Sequence, residues 1–139
     1  MKKKWPVYIL PMLLCVVMLC SIPAYAVETR ASSRIAHSAV SLSKKSTGDL
    51  SVYFSVQATD VMEKIGASSV EIQRNTIFGW VTEYTFTPSN APEIQAENKS
   101  QHSATLTYLP LFTGKEYRAV VMIYVEDAEG ISTQKLTSQ

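Results

Sequence analysis

The chain has 139 residues with 13 basic and 12 acidic side chains and only two cysteines. Three of the basic residues and both cysteines lie in the first 26 positions, which leaves ten basic against twelve acidic residues, a net charge of −2, in the remainder. That balance gives no electrostatic footprint for nucleic acid or anionic lipid. The lack of cysteine after residue 26 excludes a disulfide, a thiolate metal site and a cysteine nucleophile from that part.

The first 26 residues are typical of a cleavable secretory signal. A lysine cluster at residues 2–4 precedes a largely apolar run from Val7 to Cys20, and Ala24-Tyr25-Ala26 supplies the small-x-small motif of a cleavage site. The apolar run is about 14 residues long and contains Pro11, whereas a spanning helix needs roughly 20. We therefore expect export and cleavage after residue 26, with no stable membrane span afterwards. A retained anchor and lipidation of Cys20 are the alternatives.

Residues 27–33 are predicted to be a flexible lead-in, and residues 34–139 a single domain in which apolar and polar side chains alternate with a period of two. Short segments with this alternation are separated by turn-forming residues. The predicted strands are Ala36–Leu42, Leu50–Ala58, Ser69–Arg74, Gly79–Phe86, Ser103–Leu109, Glu116–Glu126 and Ile131–Leu136.

One helical turn is also predicted, at Thr59–Ile65, where Thr59 or Asp60 is placed to cap Val61 to Lys64. It is too short to change the class of the fold. Seven short strands in a domain of roughly 100 residues predict an all-β fold, a single antiparallel sandwich.

The segment Leu111–Val121 resembles the entry to strand F of fibronectin type III domains, in which Leu, Gly and Tyr recur at the spacing of Leu111, Gly114 and Tyr117. The resemblance implies an immunoglobulin/fibronectin-III-like sandwich with structural roles for these three residues. Tyr117 would form a tyrosine corner, its ring in the core and its hydroxyl bonded to upstream backbone. The sequence departs from that family at Thr113, where a proline is usual, and in strand B, where Phe54 stands in place of a tryptophan.

Three other segments, Met62–Ser69, Trp80 and Tyr117–Val121, resemble an uncharacterised family of small secreted proteins of Gram-positive bacteria. This resemblance implies a secreted or cell-surface-associated protein, outside the membrane of a Gram-positive bacterium. It implies no activity and no functional residue.

No catalytic, metal or cofactor site is predicted. His37 and His102 are the only histidines; they lie among serines, without a nucleophile-elbow motif or the spacing of zinc ligands. The carboxylates of Glu126–Gly130 offer oxygen ligands for calcium, but their spacing does not match an EF-hand loop, and a tight strand connection is the preferred explanation. Trp80, with Tyr84 and Phe86 on the same predicted parity, is expected to be structural core; a sugar-stacking platform is the alternative.

The predicted strand Glu116–Glu126 is apolar on both faces. Tyr117 and the residues of its parity are expected to point inward, which leaves Val120, Met122 and Tyr124 facing outward. Such a row forms an interaction face, unless neighbouring strands shield it. The leading hypothesis is a secreted, non-catalytic binding or adhesion-type module whose partner is a protein or a cell-envelope polymer. A structural or self-associating surface protein and a small secreted hydrolase are the alternatives, and the oligomeric state is left open.

Overall fold

The structure, a computed structural model, describes residues 34–138. The predicted signal peptide (1–26), the predicted lead-in (27–33) and Gln139 lie outside this range. The described residues form an all-β fold of six antiparallel strands with one 3₁₀ turn, Pro92–Ile94. The strands are β1 (Ile35–Lys44), β2 (Leu50–Thr76), β3 (Gly79–Phe86), β4 (Gln95–Tyr108), β5 (Tyr117–Asp127) and β6 (Gly130–Thr137).

The predicted second and third strands are the two halves of one continuous 27-residue strand, β2, so the structure has six strands rather than seven. The prediction of a helical turn at Thr59–Ile65 is wrong. The Thr59 N–H donates to the Arg34 carbonyl at 3.0 Å, and Met62 to Gly66 pair with the start of β4. Pairing with neighbouring strands outweighs the weak local preference for a helix in this segment.

The two halves of β2 belong to two groups of strands. The first half lies between β1 and β4, and the second half lies between β3 and β5, with β6 paired to the outer side of β5. Register shifts between Gln57 and Met62, and between Ala67 and Ser69, mark the passage of the strand from one group to the other. Irregularities of this kind bend a strand, and all six strands belong to one hydrogen-bonded sheet.

A single hydrophobic cluster joins the two groups. It contains the predicted inward residues of the first half of β2, from Leu50 to Ala58, together with Val70 and Ile72 of the second half. The alternate residues of β5 from Ala119 to Val125 belong to the same cluster. The inward parity predicted from the period-two alternation is therefore confirmed for both strands.

Gly66 lies where β2 passes from one strand group to the other, and the surrounding backbone leaves no room there for a side chain. Its φ of +143° lies in a region that favours glycine, and a Cβ atom there would lie only 2.0 Å from the Ile94 carbonyl oxygen. The backbone of the 3₁₀ turn therefore lies close against β2, and Ile94 of this turn covers one end of the hydrophobic cluster.

The connections between strands gather at two ends of the domain. The register places the β1–β2 turn (45–49), the β2–β3 turn (77–78) and the β4–β5 loop (109–116) at one end, which we call the upper end. Arg34, the 3₁₀ turn and the β5–β6 turn (128–129) lie at the opposite, lower end. An ion pair of 2.7 Å between the Arg34 Nε and the Asp127 Oδ2 joins the two strand groups at the lower end.

Candidate functional site

The outward row of β5 is largely shielded by its neighbours. Val120 is only 6% exposed, and Met122 and Tyr124 are half-buried. The Tyr124 hydroxyl donates to the Glu126 carboxylate at 2.7 Å, and this bond together with burial raises the pKa of Tyr124 to about 12. Central position in the sheet, between β2 and β6, explains the shielding. The row remains a predicted interaction face, but it offers little continuous exposed apolar surface.

The expectation that Trp80 lies in the core with Tyr84 and Phe86 is wrong. Thr82 pairs with Gln73 and Tyr84 with the adjacent Ile72, so β3 carries an extra residue between them. This bulge reverses the alternation: Phe86 packs against the core, Tyr84 has the same parity but is 40% exposed, and Trp80 faces outward.

On the outer face of β3, the Trp80 ring is in contact with the positively charged side chain of Arg118. The Arg118 guanidinium lies 4.4 Å from the centre of the Trp80 ring, and the Arg118 Nε donates to the Gln73 side-chain oxygen at 2.8 Å. Arg118 thus covers the half-buried ring, as in other cation–π pairs. A sugar stacking on Trp80 would have to displace it.

The extra residue of the β3 bulge is a buried acid, Glu83. Its side chain is 6% exposed and accepts hydrogen bonds from the Tyr108 hydroxyl at 3.0 Å and from the Tyr117 hydroxyl at 3.2 Å. The Arg74 Nε lies 3.2 Å from the same carboxylate, although its N–H is not aimed to form a hydrogen bond. Burial, reinforced by the Glu83 carboxylate, raises the pKa of Tyr108 to about 12. Sequence reasoning missed this cluster.

Tyr117 connects the cluster to the β4–β5 loop. Its hydroxyl lies 3.2 Å from the carbonyl of Phe112, five residues upstream, which is the geometry expected of a tyrosine corner. Burial, opposed in part by the bond to Phe112, raises the pKa of Tyr117. Gly114 takes a φ of +70°, the left-handed conformation that favours glycine. Leu111, for which the resemblance implies a structural role, is 74% exposed, and Phe112 packs against the Arg74 guanidinium at 4.0 Å.

Among the described residues, the four most exposed large apolar side chains lie at the upper end, on two adjacent connections. Ile77 and Phe78 occupy the β2–β3 turn and are 93% and 91% exposed. Three more exposed residues follow in or beside the β4–β5 loop. We call these five residues the apolar tip: Ile77, Phe78, Leu109, Leu111 and Phe112.

Backbone and side-chain hydrogen bonds fix the two parts of the apolar tip beside each other. The Asn75 N–H donates to the Glu116 carbonyl at 2.9 Å, and the Asn75 amide donates to the Glu116 carboxylate at 3.0 Å. Within the hairpin, the Thr76 hydroxyl donates to the Gly79 carbonyl at 2.8 Å and accepts from the Phe78 N–H at 3.2 Å. The tip is therefore held in place by local bonds, without burial of its apolar side chains.

One feature of the sequence could have drawn attention to the hairpin part of the apolar tip. Two-residue hairpin loops usually carry Asn, Asp or Gly, because those residues suit the backbone and are solvated easily. Here the loop residues are Ile77 and Phe78, followed by Gly79 at a φ of +106°. Because both side chains are almost fully exposed, burial in the folded domain gives no reason for their apolar character.

The two histidines do not form a common site. His37 pairs with Gln57 and His102 with the adjacent Val56, so their side chains leave opposite faces of the strand group, although both residues border a shallow depression of about 560 Å³. The His102 Nε2 lies 2.7 Å from the Glu93 carbonyl, which requires that this nitrogen carries a proton and donates.

The acidic β5–β6 turn is occupied by its own hydrogen bonds. Asp127 accepts from the backbone N–H groups of Glu129 and Gly130 and from Arg34. Desolvation acts to raise the pKa of Asp127, but these bonds outweigh it and hold the pKa below its ordinary value. Among residues 34–138, no group of three or more histidine or acidic side chains is arranged to hold a metal ion.

Comparison of the chain with protein-family models, curated proteins and solved structures gave no match. Within the described residues, no helix has the length and apolar character needed to cross a membrane.

Proposed function

We propose that this chain is an exported, non-catalytic binding or adhesion-type module with an immunoglobulin/fibronectin-III-like sandwich fold. It binds its partner through the apolar tip at the upper end. The partner is a protein or a component of the cell envelope outside a Gram-positive cell.

The pairing of the strands supports this fold. Counting the two halves of β2 separately gives seven strands, with β1, the first half of β2 and β4 in one group and β3, the second half of β2, β5 and β6 in the other. In immunoglobulin constant domains, the strand after C joins the A–B–E group. Here β3 pairs instead with the second half of β2, the position of strand C, which favours the fibronectin-III arrangement. The Tyr117–Phe112 hydrogen bond is consistent with either arrangement, because both contain a tyrosine corner.

One observation carries the functional proposal: the near-complete exposure of Ile77 and Phe78 beside the exposed apolar residues of the β4–β5 loop. Single exposed apolar side chains are common on proteins, but a group of them on adjacent loops marks an interaction site. The opposed histidines give a hydrolase no comparable support, and the shielded Val120 weakens the outer face as the main binding surface.

Capture of partners by the exported protein tests the proposal. The full chain is expressed in an exporting Gram-positive host, and the released protein is immobilised and exposed to culture proteins, cell-wall fragments and membrane fractions. We expect the double variant Ile77→Ser/Phe78→Ser to lose saturable capture of at least one of these fractions. Met122→Thr, a matched change on the outer face of β5, is expected to retain it.

Three other outcomes would contradict the proposal. Loss of capture in Met122→Thr alone would move the binding surface to the outer row of β5. Tip-dependent sedimentation as a dimer, with no captured fraction, would favour the self-associating surface protein. An activity on a substrate panel that a His37→Ala/His102→Ala variant abolishes would favour the hydrolase.

A further inference from the structure

We propose that the apolar tip docks on a lipid surface that carries anionic headgroups, with the strands standing away from the membrane. This inference rests on the proposed function and names its partner. The observations that carry it are the shape of the tip, the internal hydrogen bonds of its hairpin and the distribution of charge along the domain.

The tip projects outward and is not a groove. Ile77 and Phe78 are almost fully exposed in the turn of a hairpin, and Leu111, 74% exposed, lies on the adjacent loop. Apolar side chains on projecting loops can enter the boundary between headgroups and acyl chains while the body of a domain remains in water. A phenylalanine or isoleucine gains free energy from this transfer roughly in proportion to the apolar area that leaves water.

Insertion also requires that backbone polar groups do not lose hydrogen bonds to water. The N–H groups of Asn75 and Phe78 are already paired, with the Glu116 carbonyl and the Thr76 hydroxyl. The Gly79 carbonyl accepts from that same hydroxyl. Internal pairing lowers the cost of moving the hairpin turn into a less polar environment.

Charge separates along the domain, which the net charge of −2 conceals. Three exposed lysines, Lys44, Lys45 and Lys115, flank the upper end, and Lys44 and Lys115 border the same small cavity of about 180 Å³. The two acids of that end that are not buried, Asp49 and Glu116, are bonded to Thr47 and Asn75.

The lower end is acidic. Its carboxylates outnumber its cationic groups and include Asp60, Glu63, Glu93, Asp127 and Glu129. A domain with such a charge distribution turns its basic end toward an anionic surface, and each lysine near that surface adds to the attraction.

The same lysines disfavour a second copy as the partner. A two-fold contact through the apolar tip brings the same patch of both copies together and therefore places lysines near lysines. Anionic headgroups instead complement this rim. The expected secretory leader would release the domain beside such a surface.

Vesicle co-flotation tests the proposal with the exported protein and two probes, phosphatidylcholine vesicles with and without phosphatidylglycerol. We expect binding to the anionic vesicles that weakens with added salt. Ile77→Ser/Phe78→Ser should reduce the affinity by roughly 30-fold or more, the loss expected for two inserted apolar side chains. Lys44→Gln/Lys45→Gln/Lys115→Gln should reduce it by about tenfold or more and remove most of the salt dependence. Met122→Thr is the matched control and should bind like the wild type.

Three results would overturn the proposal. Equal binding to both kinds of vesicle would remove the anionic requirement. Absence of vesicle binding, with tip-dependent capture of a protein, would replace the lipid by a protein partner and leave the proposed function intact. Absence of both would remove the proposed function as well. Because the substituted side chains lie outside the hydrophobic cluster, a circular-dichroism melt should show wild-type folding for all three variants.

Discussion

Replacing Tyr117 with phenylalanine removes a hydroxyl group that serves two acceptors. That hydroxyl lies 3.2 Å from the Phe112 carbonyl and 3.2 Å from the Glu83 carboxylate. It has one proton to share between them, so the substitution costs about one hydrogen bond with partly charged character, about 1–2 kcal/mol. The bond to Phe112 is one of those that tie the β4–β5 loop, and with it part of the apolar tip, to the strands.

Replacing Tyr117 with alanine also removes the ring. The ring is partly buried against the hydrophobic cluster, so its loss adds a cavity and exposed apolar area. We expect a total cost of about 3–4 kcal/mol, a large part of the roughly 5–15 kcal/mol that stabilises a typical domain. The described residues contain no disulfide that would compensate.

Urea denaturation of the exported protein and the two variants measures both costs. With a slope of roughly 1–2 kcal/mol per molar urea, Tyr117→Phe should lower the midpoint by about 1 M, and Tyr117→Ala by considerably more. A Tyr117→Phe/Glu83→Gln double variant should lose less than the sum of its single variants, since both changes break the same contact. Wild-type stability of Tyr117→Ala would refute the inward position of the ring and the tyrosine corner together.

Three further predictions concern stability. Gly66→Ala should lower the free energy of unfolding by at least about 3 kcal/mol, or prevent folding, because its Cβ would overlap the Ile94 carbonyl; a urea midpoint near that of wild type would contradict this. Phe78→Ser should change the same quantity by no more than about 0.5 kcal/mol, because the side chain is exposed; a larger loss would mean that the turn packs on the core. The pKa of Tyr108 is about 12 in the folded protein against an ordinary 10.0, so the stability that its protonated hydroxyl contributes is complete below pH 10 and is lost as the pH rises toward 12. Urea melts across this range should show that the free energy of unfolding falls more steeply for the wild type than for Tyr108→Phe. Equal declines for the two proteins would contradict the Glu83 contact.

Local alternation was sufficient to predict most of the strands. The first half of β2 alternates without interruption from Leu50 to Ala58, and every apolar member of the series is buried. The parity of β5 was predictable for the same reason, although both of its faces are apolar. Tyr117 supplied the additional reference that distinguished the inward row from the outward row.

Interactions between distant segments determine what the sequence did not predict. The bulge in β3 reverses the direction of Trp80, and it is stabilised by burying Glu83 against Tyr108, Tyr117 and Arg74, all on other strands. A glutamate in an exposed hairpin arm gives no local sign of this environment. The continuous path of β2 through residues 59–65 likewise depends on pairing with β4, which a helix-like local pattern conceals.

The apolar tip was hidden for a different reason. Ile77 and Phe78 were correctly predicted to lie in a turn, but a turn assignment describes only backbone reversal. Leu111 was given a structural role through resemblance, and its 74% exposure was not foreseen. The group becomes visible only when the Asn75–Glu116 bonds set the two connections side by side.

Hydrogen–deuterium exchange on the exported protein, free and bound to phosphatidylglycerol-containing vesicles, tests the central claim most directly. We expect binding to slow exchange at short times in residues 76–79 and 109–116, the segments of the apolar tip, and to leave β5 unchanged. Slower exchange centred on residues 120–124 without any change in the tip would contradict the account and assign binding to the outer face of β5.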